Sequence, residues 1–220
     1  MRITSPVGVF LDDLHARCVA DGIFMVRMCF LANNSPLLTY LVPTEVFFAR
    51  HARKGRGIIP ALNALAMGSN DPANAVFAEN IVSLTSELDF FPDWTTFKYL
   101  VYAPGHAMVM GNTFLRESPP RPWDFDPRAV LRGLTERLHD KYGLRMTCGT
   151  ESEFYIYDRT DPKTGLPVPF DDTLYGASSS LYGSIGKVFD EMILANQAMG
   201  GQDAVSGLGI LAHFVLFVFT

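Results

Sequence analysis

The pattern of apolar and polar positions in the first half of the chain predicts a small α+β unit. Apolar residues at helical spacing over 9–20 indicate a first helix. Two apolar stretches, 24–30 and 37–42, are separated by the turn-forming sequence Asn-Asn-Ser-Pro and therefore predict a β-hairpin. A second helix is expected over 44–54, and a loop with one short helix over 55–80, where Gly, Pro and Asn interrupt any long element.

Further strands are expected at 81–88 and 99–110. Between them lies 91–97, whose proline interrupts a central strand. The proline-rich stretch 116–125 favours extended backbone and is interpreted as a linker. The sequence therefore predicts an N-terminal domain over 1–115, followed by this linker.

Beyond the linker, the sequence predicts a helix, a strand and another helix. Asp126 is a suitable N-cap with proline at the first helical position, and Gly143 marks the expected end. A strand follows over 150–158, a turn over 161–165 and a helix over 181–199. The helix that begins at Asp126 is expected to have one apolar face, formed by Val130, Leu131, Leu134 and Leu138.

Composition narrows the class of protein. Apolar residues make up 48% of the 220 positions and charged residues 19%, which is enough to fill a hydrophobic core. The formal net charge of -5 argues against nucleic-acid binding. Three cysteines at long spacings and the absence of a secretory signal favour a reducing, cytoplasmic setting.

The last segment, 201–220, has a composition unlike the rest of the chain. Its apolar run over 208–220 is shorter than the ~20 residues that span a membrane, so no membrane association is expected. The six residues 214–219 combine high β propensity with no charge and no proline, which is typical of aggregation-prone segments. We expect a divergent hydrophobic tail whose removal after Gln202 raises soluble yield and thermal stability.

Two glutamates form the chemically informative motif. Glu151 and Glu153 lie two positions apart in a predicted strand, so their side chains share one face. At about 7 Å, two like charges repel by about 0.6 kcal/mol in water and ~2.4 kcal/mol at an effective dielectric of 20, so in a cleft they require a cation. Oxygen-only ligands suit Mg²⁺ or Mn²⁺ better than zinc. Taken alone, the motif is more often a solvated strand face.

Three short segments, in this order, resemble the N-terminal half of the glutamine synthetase family, especially its class I and glutamine-synthetase-like members. They are Phe-Pro-Asp-Trp-Thr-Thr-Phe at 91–97, Asp-Pro-Arg-Ala-Val-Leu-Arg at 126–132, and Thr-Glu-Ser-Glu-Phe-Tyr-Ile-Tyr-Asp at 150–158. The resemblance covers about 9–200. It implies an α+β fold with an N-terminal β-grasp domain, followed over 126–200 by the start of a catalytic α/β barrel.

The resemblance also implies a chemistry. In that family the glutamates that match Glu151 and Glu153 are metal ligands for Mg²⁺ or Mn²⁺. The family reaction uses ATP to phosphorylate the γ-carboxylate of glutamate, and ammonia or another amine then displaces the phosphate. Homo-oligomers or association with full-length family subunits are the expected assemblies.

The family's later motifs do not occur in this sequence. After the helix expected over 181–199, the His-Glu and Gly-Gln-x-Glu motifs, the nucleotide-binding strands and the essential arginines are missing. We therefore expect a truncated ligase that is inactive by itself, with no catalytic residues assigned. The alternative is a non-catalytic β-grasp module that associates with full-length family members.

Overall fold

The chain forms two units, Met1–Arg145 and Met146–Thr220, which are described separately. The structure is a computed structural model, and it describes residues 6–32, 37–52, 88–146, 148–154, 156–169, 184–200, 203–207 and 213–219. Residues 6–9, 148–154, 184–185, 203–207 and 213–219 are described by their backbone. The loop expected over 55–80 lies outside the described residues, as does most of the strand expected over 81–88.

The described residues of the first unit form helices and six strands. Its helical elements are α1 (Pro6–Ala20), α2 (Thr44–Val46), a π-helix (Phe47–Ala52), a 3-10 turn (Trp94–Thr96) and α3 (Pro127–Tyr142). Its strands are β1 (Met25–Leu31), β2 (Leu37–Pro43), β3 (Leu88–Pro92), β4 (Lys98–Tyr99), β5 (His106–Leu115) and β6 (Arg121–Pro122). The helix predicted over 44–54 begins at Thr44, but from Phe47 it continues with π-helical hydrogen bonding.

The strands form a mixed sheet in the order β2-β1-β5-β3. Strands β1 and β2 pair antiparallel from Met25 opposite Pro43 to Leu31 opposite Leu37, which confirms the predicted hairpin. Strand β5 runs parallel to β1 and antiparallel to β3, and the short strands β4 and β6 also pair with it. Because β5 contacts four other strands, it is the organising strand of this unit.

One face of the sheet carries the hydrophobic core. Alternate residues of β5 are buried, as expected when one face of a sheet is covered. In β1, Val26, Met28 and Phe30 are buried on alternate positions, and Cys29 between them is buried as well. Helix α1 and the π-helix pack over this face. The buried cluster includes Leu14, Cys18, Val26, Met28, Phe30, Phe47, Phe48, Leu88, Phe90, Ala107, Val109 and Trp123.

The strand predicted over 99–110 is interrupted in the structure. Strand β4 ends at Tyr99, and a turn precedes β5, which begins at His106. Gly105 has φ +81°, a conformation that other residues rarely adopt, so the chain reverses here and β4 pairs with β5. The Pro-Gly sequence at 104–105 is the physical reason for the difference.

Helix α3 begins and ends where the sequence predicts. The Asp126 carboxylate accepts hydrogen bonds from the backbone N–H groups of Arg128 and Ala129, and Gly143 closes the helix with φ +66°. The predicted apolar face is largely exposed, however. Leu131 and Leu134 are each 55% exposed, and no residue of α3 is buried.

The second unit has strands β7 (Cys148–Phe154), β8 (Tyr157–Thr160), β9 (Pro167–Pro169), β10 (Asp203–Gly207) and β11 (His213–Phe219), and helix α4 (Ser184–Ala198). The strand predicted over 150–158 ends at Phe154, and Tyr157 already belongs to the β8–β9 hairpin. A second sheet has the order β10-β11-β7. In the part of the chain that the structure describes, no helix is long and apolar enough to cross a membrane.

Candidate metal-binding strand and the Asp93 cluster

Glu151 and Glu153 lie in strand β7, where the sequence predicted a strand. The backbone of β7 pairs antiparallel with β11, with Glu151 opposite Leu216 and Glu153 opposite Phe214. The two glutamates therefore occupy alternate positions beside a strand formed by the hydrophobic tail.

Two carboxylates make an incomplete ligand set for a divalent ion. Among the residues that the structure describes, no group of three or more His, Cys, Asp or Glu side chains is arranged to hold a metal. Carboxylate oxygens fit Mg²⁺ or Mn²⁺, which retain several waters and share their coordination with substrate phosphates. The donor set of Glu151 and Glu153 is thus compatible with such an ion, although it leaves most coordination positions to other groups.

A well-defined charged cluster surrounds Asp93 in the first unit. Asp93 caps the 3-10 turn: its Oδ1 accepts hydrogen bonds from the Thr95 backbone N–H at 3.3 Å and from the Thr95 hydroxyl at 2.6 Å. Its Oδ2 accepts from Nη2 of Arg128 at 2.8 Å and from Nη2 of Arg132 at 3.3 Å. One carboxylate therefore ties helix α3 to the segment that follows β3.

The partners of Asp93 determine its ionisation. Burial raises the pKa of this carboxyl, but the hydrogen bonds from Thr95 and the charges of Arg128 and Arg132 together outweigh burial and hold the pKa below its ordinary value of 3.8. The Asp93 side chain is only 15% exposed and that of Arg128 only 23%, whereas that of Arg132 is 52% exposed. The ion pair with Arg128 is accordingly the less screened of the two.

A second carboxylate anchors the same helix to the sheet. Asp126 is buried, and its Oδ2 accepts hydrogen bonds from Thr113 in β5 while its Oδ1 caps α3. Nε of Arg128 also donates to Oδ1 of Asn112 in β5, at 3.4 Å. The start of α3 is therefore held by two acidic residues and by one arginine that bonds to both β5 and Asp93.

The sequence did not predict the contact between Asp93 and Arg128. These residues belong to two of the three family-like segments, 91–97 and 126–132, and the structure brings those segments together. The available signal was local: opposite charges stand directly after Pro92 and Pro127. The cluster is structural, since its groups satisfy one another and fix the start of α3.

Comparisons with known proteins agree with this architecture. No family model matches the chain. The curated protein Type-1 glutamine synthetase 1 of Dictyostelium discoideum is 24% identical over 139 residues, which are 62% of this chain and 24% of that protein. The chain thus spans about a quarter of the length of this relative.

Solved structures of GmaS, a glutamine synthetase-like protein, have a similar fold. The GmaS/ADP complex in conformation 1 has a TM-score of 0.67 at 18% identity, covering 94% of this chain and 44% of that one. GmaS without ligand has a TM-score of 0.70 at 17% identity, covering 93% of this chain and 44% of that one. These findings confirm the α+β fold class and the resemblance to part of a glutamine synthetase family protein.

Proposed function

We propose that this chain supplies the N-terminal part of an ATP-dependent carboxylate–amine ligase of the glutamine synthetase type, which forms a γ-glutamyl amide. The observation that carries the proposal is the fold likeness to GmaS over 93% to 94% of the chain. The weak sequence match to a glutamine synthetase supports the same reaction class. Because the chain spans 44% of those structures, we further propose that it is inactive without the remaining site.

Glu151 and Glu153 are the proposed ligands of Mg²⁺ or Mn²⁺, with ATP as co-substrate. The position of both residues in β7 supports this assignment, as does their oxygen-only chemistry. A bound ion would neutralise the charge of the phosphoryl group that ATP transfers. The ADP complex of GmaS supports ATP as the phosphoryl donor.

The proposed substrates are glutamate and ammonia or another amine, and the proposed setting is the cytoplasm. Phosphoryl transfer followed by amine attack depends on positioning as well as charge neutralisation. Two carboxylates cannot supply these by themselves, because they are negatively charged and only help to hold the cation that would neutralise the phosphoryl group. We therefore expect phosphate release from ATP, glutamate and ammonia, measured on the purified chain, to equal the buffer blank. Amine-dependent turnover that Glu151→Ala abolishes would contradict the proposed inactivity.

Calorimetric titration with Mn²⁺ tests the metal assignment. Glu153→Gln removes one charged ligand while keeping the side-chain size, so the affinity should fall at least tenfold, or about 1.4 kcal/mol. Glu136→Gln, at an exposed position of helix α3, removes the same charge elsewhere and should leave the isotherm unchanged. Identical isotherms for Glu153→Gln and the parent would refute the proposal.

The second candidate function is a non-catalytic module that associates with full-length subunits of the same family. It is favoured by one observation: the first unit has its own buried core and yet leaves Leu131 and Leu134 of α3 exposed. Three results together would support this candidate over the proposed ligase function. The chain would co-purify with a full-length family subunit, it would show no turnover alone, and it would not bind Mn²⁺.

A further inference from the structure

Arg27 is a cation without a carboxylate partner in the described part of the chain. It lies in β1 on the face of the sheet opposite the hydrophobic core, because its neighbours Val26 and Met28 belong to that core. Its Nε donates to Nδ1 of His106 at 3.5 Å, and its guanidinium lies 6.0 Å from the ring centroid of Tyr102. Since acidic residues outnumber basic ones by 23 to 18, an arginine left without an ion pair is informative.

The contacts of Arg27 hold its side chain in place and leave several donors available. The ring of Phe24 meets the His106 ring edge-on, with centroids 5.3 Å apart, and also packs over Gly105. Because Nδ1 of His106 accepts from Arg27, the proton of the neutral imidazole is on Nε2. Within the described residues, neither that N–H nor the two terminal nitrogens of Arg27 make a hydrogen bond. The result is a preorganised set of donors that includes a positive charge.

Strand pairing places a second cation on the same face of the sheet. Met108 of β5 is the register partner of Arg27 in β1 and of Lys98 in β4. The next residue, Tyr99, contacts Cys18 on the core side, so Lys98 lies on the face of Arg27. Neighbouring strands are about 4.8 Å apart, which puts the Cα atoms of Arg27 and Lys98 about 10 Å apart. Two side chains of this length both reach a small anion between them, and Lys98 makes no ion pair with another described residue.

We propose that Arg27, Lys98 and His106 bind the phosphate group of a small phosphomonoester. At neutral pH this group is mainly a dianion, which matches the two positive charges, and its three free oxygens match the three kinds of donor. A single carboxylate has one charge and two oxygens, so it satisfies the set less well. Phe24 and Tyr102 are more than half exposed beside the cations, so an apolar group on the phosphate would contact them. The site uses residues of the first unit alone and is independent of the proposed ligase activity.

Phosphorus NMR titration of the full chain with phenyl phosphate tests this site. EDTA is present throughout, so binding through a divalent ion at Glu151 and Glu153 does not contribute. Arg27→Gln and Lys98→Gln each remove one charge and should lower the affinity roughly tenfold or more, as the loss of a charge-assisted hydrogen bond implies. Arg27→Lys keeps the charge without the planar fork and should bind several-fold more tightly than Arg27→Gln.

Lys141→Gln is the matched control, because it removes the same charge from an exposed lysine of helix α3 and should leave the affinity unchanged. Circular dichroism of each variant confirms that it is folded. A parent chain that does not bind phenyl phosphate saturably would overturn the proposal. So would charge variants that bind like the parent. Competition with benzoate, which carries the same ring on a carboxylate, checks the ligand class, and tighter binding of benzoate than of phenyl phosphate would refute the assignment to phosphate.

Discussion

Asp126 accepts two hydrogen bonds from Thr113, one from its backbone N–H and one from its hydroxyl, each at 2.6 Å. The second oxygen of the same carboxylate accepts from the first backbone N–H groups of α3, at 2.9 and 3.0 Å. This buried carboxylate therefore joins the organising strand β5 to the helix that follows the proline-rich stretch. Four donors converge on one side chain, so no neutral residue of similar size satisfies them all.

We expect Asp126→Ala to destabilise the protein by about 2–4 kcal/mol, because it removes a helix cap and leaves buried donors unpaired. Asp126→Asn should be nearly as costly, since the amide N–H₂ would face the N–H of Thr113. Thr113→Val removes only the hydroxyl and should cost about 1 kcal/mol. Urea unfolding measures all three, and Asp140→Asn, at an exposed position of α3, is the control. Parent-like stability of Asp126→Asn would contradict this account.

The Asp93 cluster predicts a pH-dependent contribution to stability. Since the pKa of Asp93 in the folded protein lies below 3.8, its stabilisation is fully present above that value and is lost as the pH falls through the folded-state pKa. At pH 7 we expect Asp93→Asn to be less stable than the parent by about 1–3 kcal/mol. The difference should shrink at lower pH, because a protonated Asp93 resembles asparagine in charge.

The pH dependence of this stability difference is measured by unfolding both proteins, Asp93→Asn and the parent, at several pH values between 7 and the acid transition. The other acids titrate equally in both proteins, so they cancel in the difference. Arg128→Gln should cost more than Arg132→Gln, because Arg132 is half exposed and its ion pair is screened by solvent and salt. A stability difference that does not change with pH would show that the charge of Asp93 contributes nothing.

Local signals in the sequence were enough to predict individual helices and strands. Contacts between distant segments could not be predicted from them. The cap at Asp126 and the turn sequence at 33–36, which lies outside the described residues, are local signals. Helix α3 and the pairing of β1 with β2 were therefore predicted correctly. The parallel pairing of β1 with β5 joins distant segments and has no local signature. The apolar pattern of α3 likewise marked a face without showing that Leu131 and Leu134 on it are exposed.

The same difference between local signals and non-local contacts applies to the candidate metal site. The strand that contains Glu151 and Glu153 was predictable from its alternating composition. Its partner was not, because β7 pairs with a tail that the sequence marked only as hydrophobic. Their assignment as metal ligands came from the family resemblance and stays a prediction.

Two glycines of the first unit should respond oppositely to substitution by alanine. A Cβ at Gly111 in β5 would overlap the ring of Phe90, which is 1% exposed and belongs to the buried core. Gly111→Ala should therefore destabilise the protein by about 1–3 kcal/mol. A Cβ at Gly133 in α3 meets nothing within 4 Å, so Gly133→Ala should stabilise by about 0.5–1 kcal/mol through helix propensity.

Thermal unfolding of both glycine variants checks this pair. Because the two substitutions add the same methyl group, their difference isolates the environment of each position. If Gly111→Ala were as stable as Gly133→Ala, the close approach of Phe90 to β5 would be wrong.

The last prediction concerns the C-terminal tail. For its removal the structure leads to the opposite expectation from the sequence. Strand β11 lies between β10 and β7, and its backbone pairs with β7 from His213 opposite Phe154 to Phe219 opposite Cys148. Truncation after Gln202 removes β10 and β11, and β11 is the strand that pairs with β7 in the described part of the chain. A strand without a partner is not stable by itself. We therefore expect truncation to lower soluble yield and the thermal midpoint of the second unit. It should also abolish any Mn²⁺ binding by Glu151 and Glu153.

A chain ending at Phe219 keeps every paired position and is the matched control. Higher yield and a higher midpoint after truncation would instead mean that the tail is an aggregation-prone addition, because a segment that holds the glutamate strand in place cannot be removed with a gain in stability.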